Sequence, residues 1–261
     1  EYEAVHQIHG WDDLRRRLAP ADRRCFAFFH PALPDDPLIF VEVALTTSIP
    51  ENIADLLSED RDVVTGSRRT VAVFYSISNC QAGLKGISFG NFLIKQVVED
   101  LRLGLPSLKS FVTLSPVPGL LRGLDATADE QVAVETVIQA LKRADWQHDA
   151  GIADTLKKQL MPLAARYFLA EKRPDGTPLD PVGRFHLGNG ASLHRLNWLG
   201  DLSAKGVRES AGLMVNYLYD PASIEANHEA YADGAKVVAS RAVRALLPSQ
   251  RAKKAKVSPQ A

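Results

Sequence analysis

Three segments of the 261-residue chain carry residue types that could do chemistry. The first is Lys85-Gly86-Ile87-Ser88-Phe89-Gly90, which joins a strand-like run to a helix-like run beginning near Asn91. A loop of this kind offers successive backbone N–H groups and the positive end of a helix dipole to a phosphate. Small residues let the anion reach the backbone, and Lys85 adds a charge for it. The spacing is neither the dinucleotide G-x-G-x-x-G nor a Gly-Lys-Ser/Thr phosphate loop, and a plain strand-to-helix turn would use the same residues. The second segment is Leu114-Ser115-Pro116-Val117-Pro118-Gly119. A Ser115 hydroxyl at a strand end could project into a cleft while the prolines stiffen the exit, although a Ser-Pro pair also simply starts turns. The third is His186 in Arg184-Phe185-His186-Leu187-Gly188-Asn189-Gly190. Apolar flanks suit either a general acid with a tuned pKa or a hydrogen-bonded core histidine. The other histidines (His6, His9, His30, His148, His194 and His228) show no HxxxH or HxH spacing, so no zinc site is expected.

Positioning these groups falls to elements that the sequence pattern marks out. Residues 24–30 (RCFAFFH) and 38–46 (LIFVEVALT) are short β-rich runs, and the proline- and aspartate-rich residues 31–37 read as a hairpin-type connection. Residues 70–78 (TVAVFYSIS) form another strand candidate. A helix is predicted over 91–103, with Ile94, Val97, Val98 and Leu101 on one face and Gly104 and Pro106 as stop signals. Residues 110–114 (SFVTL) read as the next strand, leading into Ser115. Thr127 and Glu130 make a capping box ahead of a helix with Val134, Val137, Ile138 and Leu141 on one face. A helix over 152–169 is expected to break near Pro162. Pro174-Asp175-Gly176 is a turn, and Asp180-Pro181 has the N-cap and first-turn chemistry of a helix start. Residues 213–219 (LMVNYLY) read as a buried strand. Asp220-Pro221 opens a last helical region in which Val238, Ala242, Ala245 and Leu246 share a face. This mixture points to a single α+β domain.

Composition narrows the function classes. The chain has 31 Lys+Arg against 31 Asp+Glu, 46% hydrophobic and 24% charged residues, and a length that buries a core without staples. Zero net charge argues against non-specific nucleic-acid or membrane-surface binding and is silent on small anions read by local groups. The only cysteines, Cys25 and Cys80, give neither a disulfide framework nor a CxxC pair and fit a reducing compartment. No run of about 18 apolar residues could span a bilayer. With no signal-peptide pattern and no Ser-Lys-Leu ending, a cytoplasmic location is expected, as is a chain that is a segment of something longer. Residues 1–247 are expected to form the domain, and residues 248–261, with Arg251, Lys253, Lys254 and Lys256, a solvated, disordered basic tail.

Six segments, in order, resemble the malonyl-CoA decarboxylase family: residues 2–6 (YEAVH), 74–78 (FYSIS), 83–95 (GLKGISFGNFLIK), 113–119 (TLSPVPG), 184–201 (RFHLGNGASLHRLNWLGD) and 212–219 (GLMVNYLY). The likeness runs from about residue 2 to residue 220 and is weaker in the helical middle. Its loop is also similar to the R/Q-x-x-G-x-G/A pyrophosphate loop of GNAT-type acyltransferases, with Ser88 in place of the central glycine. The resemblance implies an α+β, GNAT-like acyl-CoA-binding fold with a mixed central sheet flanked by helices. It implies a catalytic half that follows a helical oligomerisation domain outside this chain, and a homo-oligomer formed through that domain. It implies that Ser115 and His186 are the acid/base pair. Lys85, Gly86, Ile87, Ser88, Phe89, Gly90 and Asn91 would bind the acyl-CoA, and Ser76 and Tyr219 would be further active-site positions. Some relatives carry Glu where this chain has Ser88, so no role for that carboxylate carries over.

The implied reaction is decarboxylation of malonyl-CoA to acetyl-CoA and CO2 without cofactor, metal or biotin. His186 would hold the malonyl carboxylate or the enolate and supply the proton, with Ser115 completing the network. The alternatives are an acyl-CoA-dependent N-acyltransferase on the same fold and a non-catalytic acyl-CoA-binding module. A Ser-His hydrolase ranks third.

Overall fold

Apolar side chains recurring at 41, 43 and 45 and at 71 and 73 make two strands that bury both faces, and a sheet grows around them. The structure, a computed structural model, describes residues 5, 6, 8, 10–81, 83, 90–126, 132–143 and 145–247. In chain order its elements are α1 (Trp11–Leu18), β1 (Arg23–Phe28), β2 (Ile39–Thr46), α2 (Ile53–Leu57), β3 (Val71–Asn79), α3 (Gly90–Gly104), β4 (Ser110–Thr113), β5 (Ser115–Pro116) and α4 (Leu120–Asp125). They continue as α5 (Val132–Leu141), α6 (Ala150–Leu169), α7 (Pro181–Gly188), β6 (Ser192–Asn197), α8 (Ala204–Ser210), β7 (Met214–Leu218), α9 (Ile224–Gly234) and α10 (Arg241–Ala245).

The sheet is mixed. β1, β2 and β3 form an antiparallel meander, and β4 runs parallel to β3 with Thr113 opposite Phe74. A parallel pair needs a crossover, which α3 supplies. The next strand in the sheet, β7, is antiparallel to both β4 and β5 along one edge, and β6 is antiparallel to it along the other. On one face Val41, Val43, Leu45, Ala72, Phe74 and Phe111 join the larger core under α3, α5, α6 and α7. On the other, Ala44, Val71, Val73, Val112 and Leu114 pack with Ile53 and Leu56 of α2. This is the expected α+β arrangement, a mixed central sheet with helices on both sides.

The α3 face is the one that its periodicity predicts: Ile94, Val97, Val98 and Leu101 are all buried. Each such side chain contributes about 2 kcal/mol of burial. Two expectations need correction. α6 is continuous through Pro162, because Leu160, Ala164, Ala165 and Phe168 are all held in the core and offset the backbone bond that proline forgoes. The last region is not one helix. α9 ends at Ala235, which adopts a left-handed conformation, and the Val238 carbonyl then accepts from Leu193 N–H of β6 before α10 begins. The capping-box residues Thr127 and Glu130 and the tail 248–261 lie outside the described residues.

Candidate active site

Ser115 is the first residue of β5, directly after the Thr113-Leu114 step at which β4 ends. Val112 faces Leu218 and Ser115 faces Val215, so β4 and β5 keep one register along β7. Thr113 and Ser115, two apart, point to the same side, and Ser115 Oγ donates to Thr113 Oγ1 at 2.8 Å.

α7 brings the histidine to that side. Its start follows from Asp180-Pro181: the Asp180 carboxylate accepts the Gly183 N–H at 2.7 Å, and Pro181 occupies the first turn. His186 falls in the last turn, with Nε2 3.1 Å from Ser115 Oγ and Nδ1 2.8 Å from the Tyr219 hydroxyl. The imidazole is stacked on Tyr217, ring centroids 4.7 Å apart, and meets Phe185 and Tyr219 edge-on. Gly183 leaves room beside that stack, since a Cβ there would lie 3.2 Å from the Tyr217 hydroxyl, a tight contact. Ser115 is only 5% and His186 only 4% exposed.

Burial sets the protonation states. It pushes the His186 imidazole down to about 3, so the ring is neutral at pH 7. It raises both Tyr217 and Tyr219 well above the usual phenol range, so both stay protonated. Asp180 is pushed up to about 6 by burial, while the amides of Gly183, Gly119 and Val182 pull the other way. Among the described residues, no group of three or more His, Cys, Asp or Glu side chains is placed to hold a metal ion.

Of the residues expected from the sequence, the structure brings Ser115, His186 and Tyr219 into one hydrogen-bonded chain. Ser76 lies on β3, opposite Glu42 of β2, with its Oγ 3.3 Å from that of Ser78. Lys85, Gly86, Ile87, Ser88 and Phe89 lie outside the described residues, and Gly90 and Asn91 are the first two residues of α3. Sequence reasoning missed Thr113 and Tyr217. Their roles depend on cross-strand register, and the only sequence hint was their position beside Ser115 and Tyr219.

Comparison with known proteins adds independent findings. The family model for the malonyl-CoA decarboxylase C-terminal domain matches residues 1–257. The chain is 37% identical to the mitochondrial malonyl-CoA decarboxylase of Anser anser anser, covering 92% of this chain and 53% of that protein. The corresponding protein of Rattus norvegicus is also 37% identical, with 95% and 55% covered. Among solved structures, malonyl-CoA decarboxylase from Agrobacterium vitis shares 60% identity with a TM-score of 0.91, over 95% of this chain and 62% of that one. The enzyme from Rhodopseudomonas palustris shares 57% with a TM-score of 0.89, over 94% and 61%. The chain thus spans about half the length of the curated relatives it matches.

Proposed function

The chain belongs to the malonyl-CoA decarboxylase C-terminal domain family, and we propose that it converts malonyl-CoA to acetyl-CoA and CO2 at the Ser115–His186 pair. The bond between C2 and the carboxylate carbon breaks, and its electron pair enters the thioester as an enolate. CO2 departs, and C2 takes up the Nε2 proton of His186 while the Tyr219 phenol passes its own to Nδ1, to be replaced from solvent. The protein must therefore stabilise an oxyanion and deliver a proton. Losing one preorganised oxyanion donor typically costs about 3 kcal/mol.

The observation that carries this reading is the buried chain of hydrogen bonds from Ser115 through His186 to Tyr219, and the phenol sets its direction. The buried Tyr219 phenol keeps its proton, and His186 Nδ1 is its hydrogen-bond partner. With Nδ1 accepting, the ring proton sits on Nε2 and faces Ser115. The opposite tautomer would strand a buried phenol O–H at a cost of about 1–3 kcal/mol. An Nε2 that carries a proton is a donor to its neighbour and to an arriving enolate. It is not a base that strips a serine for nucleophilic attack.

A second reading has one observation in its favour. Gly86-Ile87-Ser88-Phe89-Gly90 has the Gly-x-Ser-x-Gly spacing of a hydrolase nucleophile turn. Against it, both ring nitrogens of His186 are engaged, with Ser115 and Tyr219, and none is left for Ser88.

The rest of the proposal follows the family resemblance. The 85–91 segment binds the CoA pyrophosphate, Ser76 contributes to the site, and no metal or organic cofactor takes part. Homo-oligomerisation runs through a helical domain of the kind the resemblance implies. A cytoplasmic location belongs here too: Cys25 and Cys80, neither of them in a disulfide, suit a reducing compartment. No helix among the described residues is long and apolar enough to cross a membrane.

Incubation with malonyl-CoA tests the reading. Acetyl-CoA and CO2 formed with no acceptor present support it. Turnover only after an amine is added would make the protein an acyltransferase, and malonate with free CoA would make it a hydrolase. Binding of CoA with no product at all would leave an acyl-CoA-binding module.

A further inference from the structure

At Thr113 and Tyr217 the strand ladder is carried by a side chain. The register places these two residues opposite each other, between the Val112–Leu218 and Ser115–Val215 pairs. The Tyr217 N–H donates to the Thr113 hydroxyl oxygen at 3.1 Å. The Thr113 carbonyl accepts from the Asn216 side-chain amide at 2.8 Å. Thr113 is wholly buried, so its Oγ1 is held in place from the β7 side. That same oxygen accepts the Ser115 hydroxyl at 2.8 Å, which uses both of its lone pairs.

We propose that Thr113 is a positioning residue for the reaction, acting through Ser115; the inference rests on the reading that Ser115 and His186 do the chemistry. Thr113 Oγ1, fixed by the Tyr217 amide, accepts the Ser115 hydroxyl hydrogen bond and thereby turns a Ser115 lone pair toward His186 Nε2–H. Tyr219 anchors the other end by donating to Nδ1. The four groups then form a chain with one direction, Tyr219 to His186 to Ser115 to Thr113. Either anchor alone leaves the middle free to reverse. Without Thr113, the Ser115 hydroxyl swings to donate to Nε2, and the ring proton moves to Nδ1. Tyr217 serves twice, since its ring stacks on His186 while its amide fixes the oxygen that orients Ser115.

Two variants separate positioning from mere support. Thr113→Val keeps the shape and removes the acceptor, and Thr113→Ser keeps the acceptor. The readouts are kcat and KM for malonyl-CoA, and the His186 tautomer from 15N resonances of histidine-labelled protein, with His186→Gln assigning the signal. The expected result is that Thr113→Val lowers kcat about ten-fold with KM within about two-fold. Thr113→Ser should stay near wild type. The His186 proton should lie on Nε2 in the wild type and shift toward Nδ1 in Thr113→Val. A Thr113→Val protein whose tautomer is unchanged overturns the proposal whatever its kcat, and so does a Thr113→Ser protein as impaired as Thr113→Val. Should Thr113→Val fail to fold, the wild type decides: a proton on Nδ1 overturns the proposal, and a proton on Nε2 with an active Thr113→Ser supports it. If the wild type releases no CO2, the decarboxylase reading fails, and the tautomer comparison still decides the role of Thr113.

Discussion

Replacing His186 with glutamine should flatten the acid side of the stability curve. Burial takes the imidazole from 6.5 to about 3 on folding. Between those values the unfolded chain holds a proton that the folded chain lacks. Stability is therefore complete above pH 6.5 and declines as pH falls toward 3. Each pH unit inside that window costs about 1.4 kcal/mol, so by pH 4.5 the loss reaches about 3 kcal/mol. Glutamine is neutral throughout and cannot titrate. Urea unfolding of both proteins at pH 7.5 and pH 4.5 isolates the effect, because carboxylates common to the two cancel in the difference. The wild type should lose about 3 kcal/mol more than His186→Gln between the two conditions. Parallel losses would refute the reasoning, because they would mean that the imidazole titrates in the folded protein as it does in the unfolded one. A neutral ring also predicts that kcat/KM shows no inflection near pH 6.5 from this residue.

Further consequences concern the groups around the histidine. Asp180 is raised from 3.8 to about 6 by burial, so its favourable contribution is present below pH 3.8 and lost as pH rises through about 6. Asp180→Asn, which can still cap Gly183, should gain up to about 3 kcal/mol at pH 7.5 and much less at pH 4.5 by urea unfolding; a loss at both would contradict this. Tyr219→Phe removes the donor to Nδ1 and should lower kcat about ten-fold while CoA affinity, read by calorimetry, is retained; an unchanged kcat would remove Tyr219 from the chain. Gly190 has φ +83, and a Cβ there would collide with the Ile224 carbonyl, so Gly190→Ala should cost about 3 kcal/mol or more. Gly176, with φ +80 and open space around it, is the control: thermal unfolding should show a loss of about 1–2 kcal/mol for Gly176→Ala, and equal losses would rule out the collision.

What could be read from the sequence depended on how local each signal was. The α3 face, the Asp180-Pro181 start of α7 and the strand runs ending at 46 and 78 are set by neighbours a few residues apart, and they lie where the pattern places them within a residue or two. β6 escaped notice because its register shifts between Leu193 and Arg195, which breaks the alternation that marks a strand. Short elements such as α2, α4 and α8 carry too few turns to show a period. The pairing of Ser115 with His186 spans 71 positions, and no spacing rule reaches that far. It was visible only through the family resemblance. Thr113 reads as an ordinary β-branched strand residue and Tyr217 as core, and only the alignment of β4 and β5 on β7 shows that one orients a hydroxyl and the other supports a ring.

The most direct test of the central claim is the rate of CO2 release from malonyl-CoA by the wild type, Ser115→Ala and His186→Gln, with no acyl acceptor present and with CoA affinity measured alongside. The wild type should form acetyl-CoA and CO2 in equal amounts, and each variant should lose about a hundred-fold or more in kcat while still binding CoA. Variants that release CO2 and form acetyl-CoA as fast as the wild type would contradict the claim that this buried pair stabilises the enolate and delivers its proton.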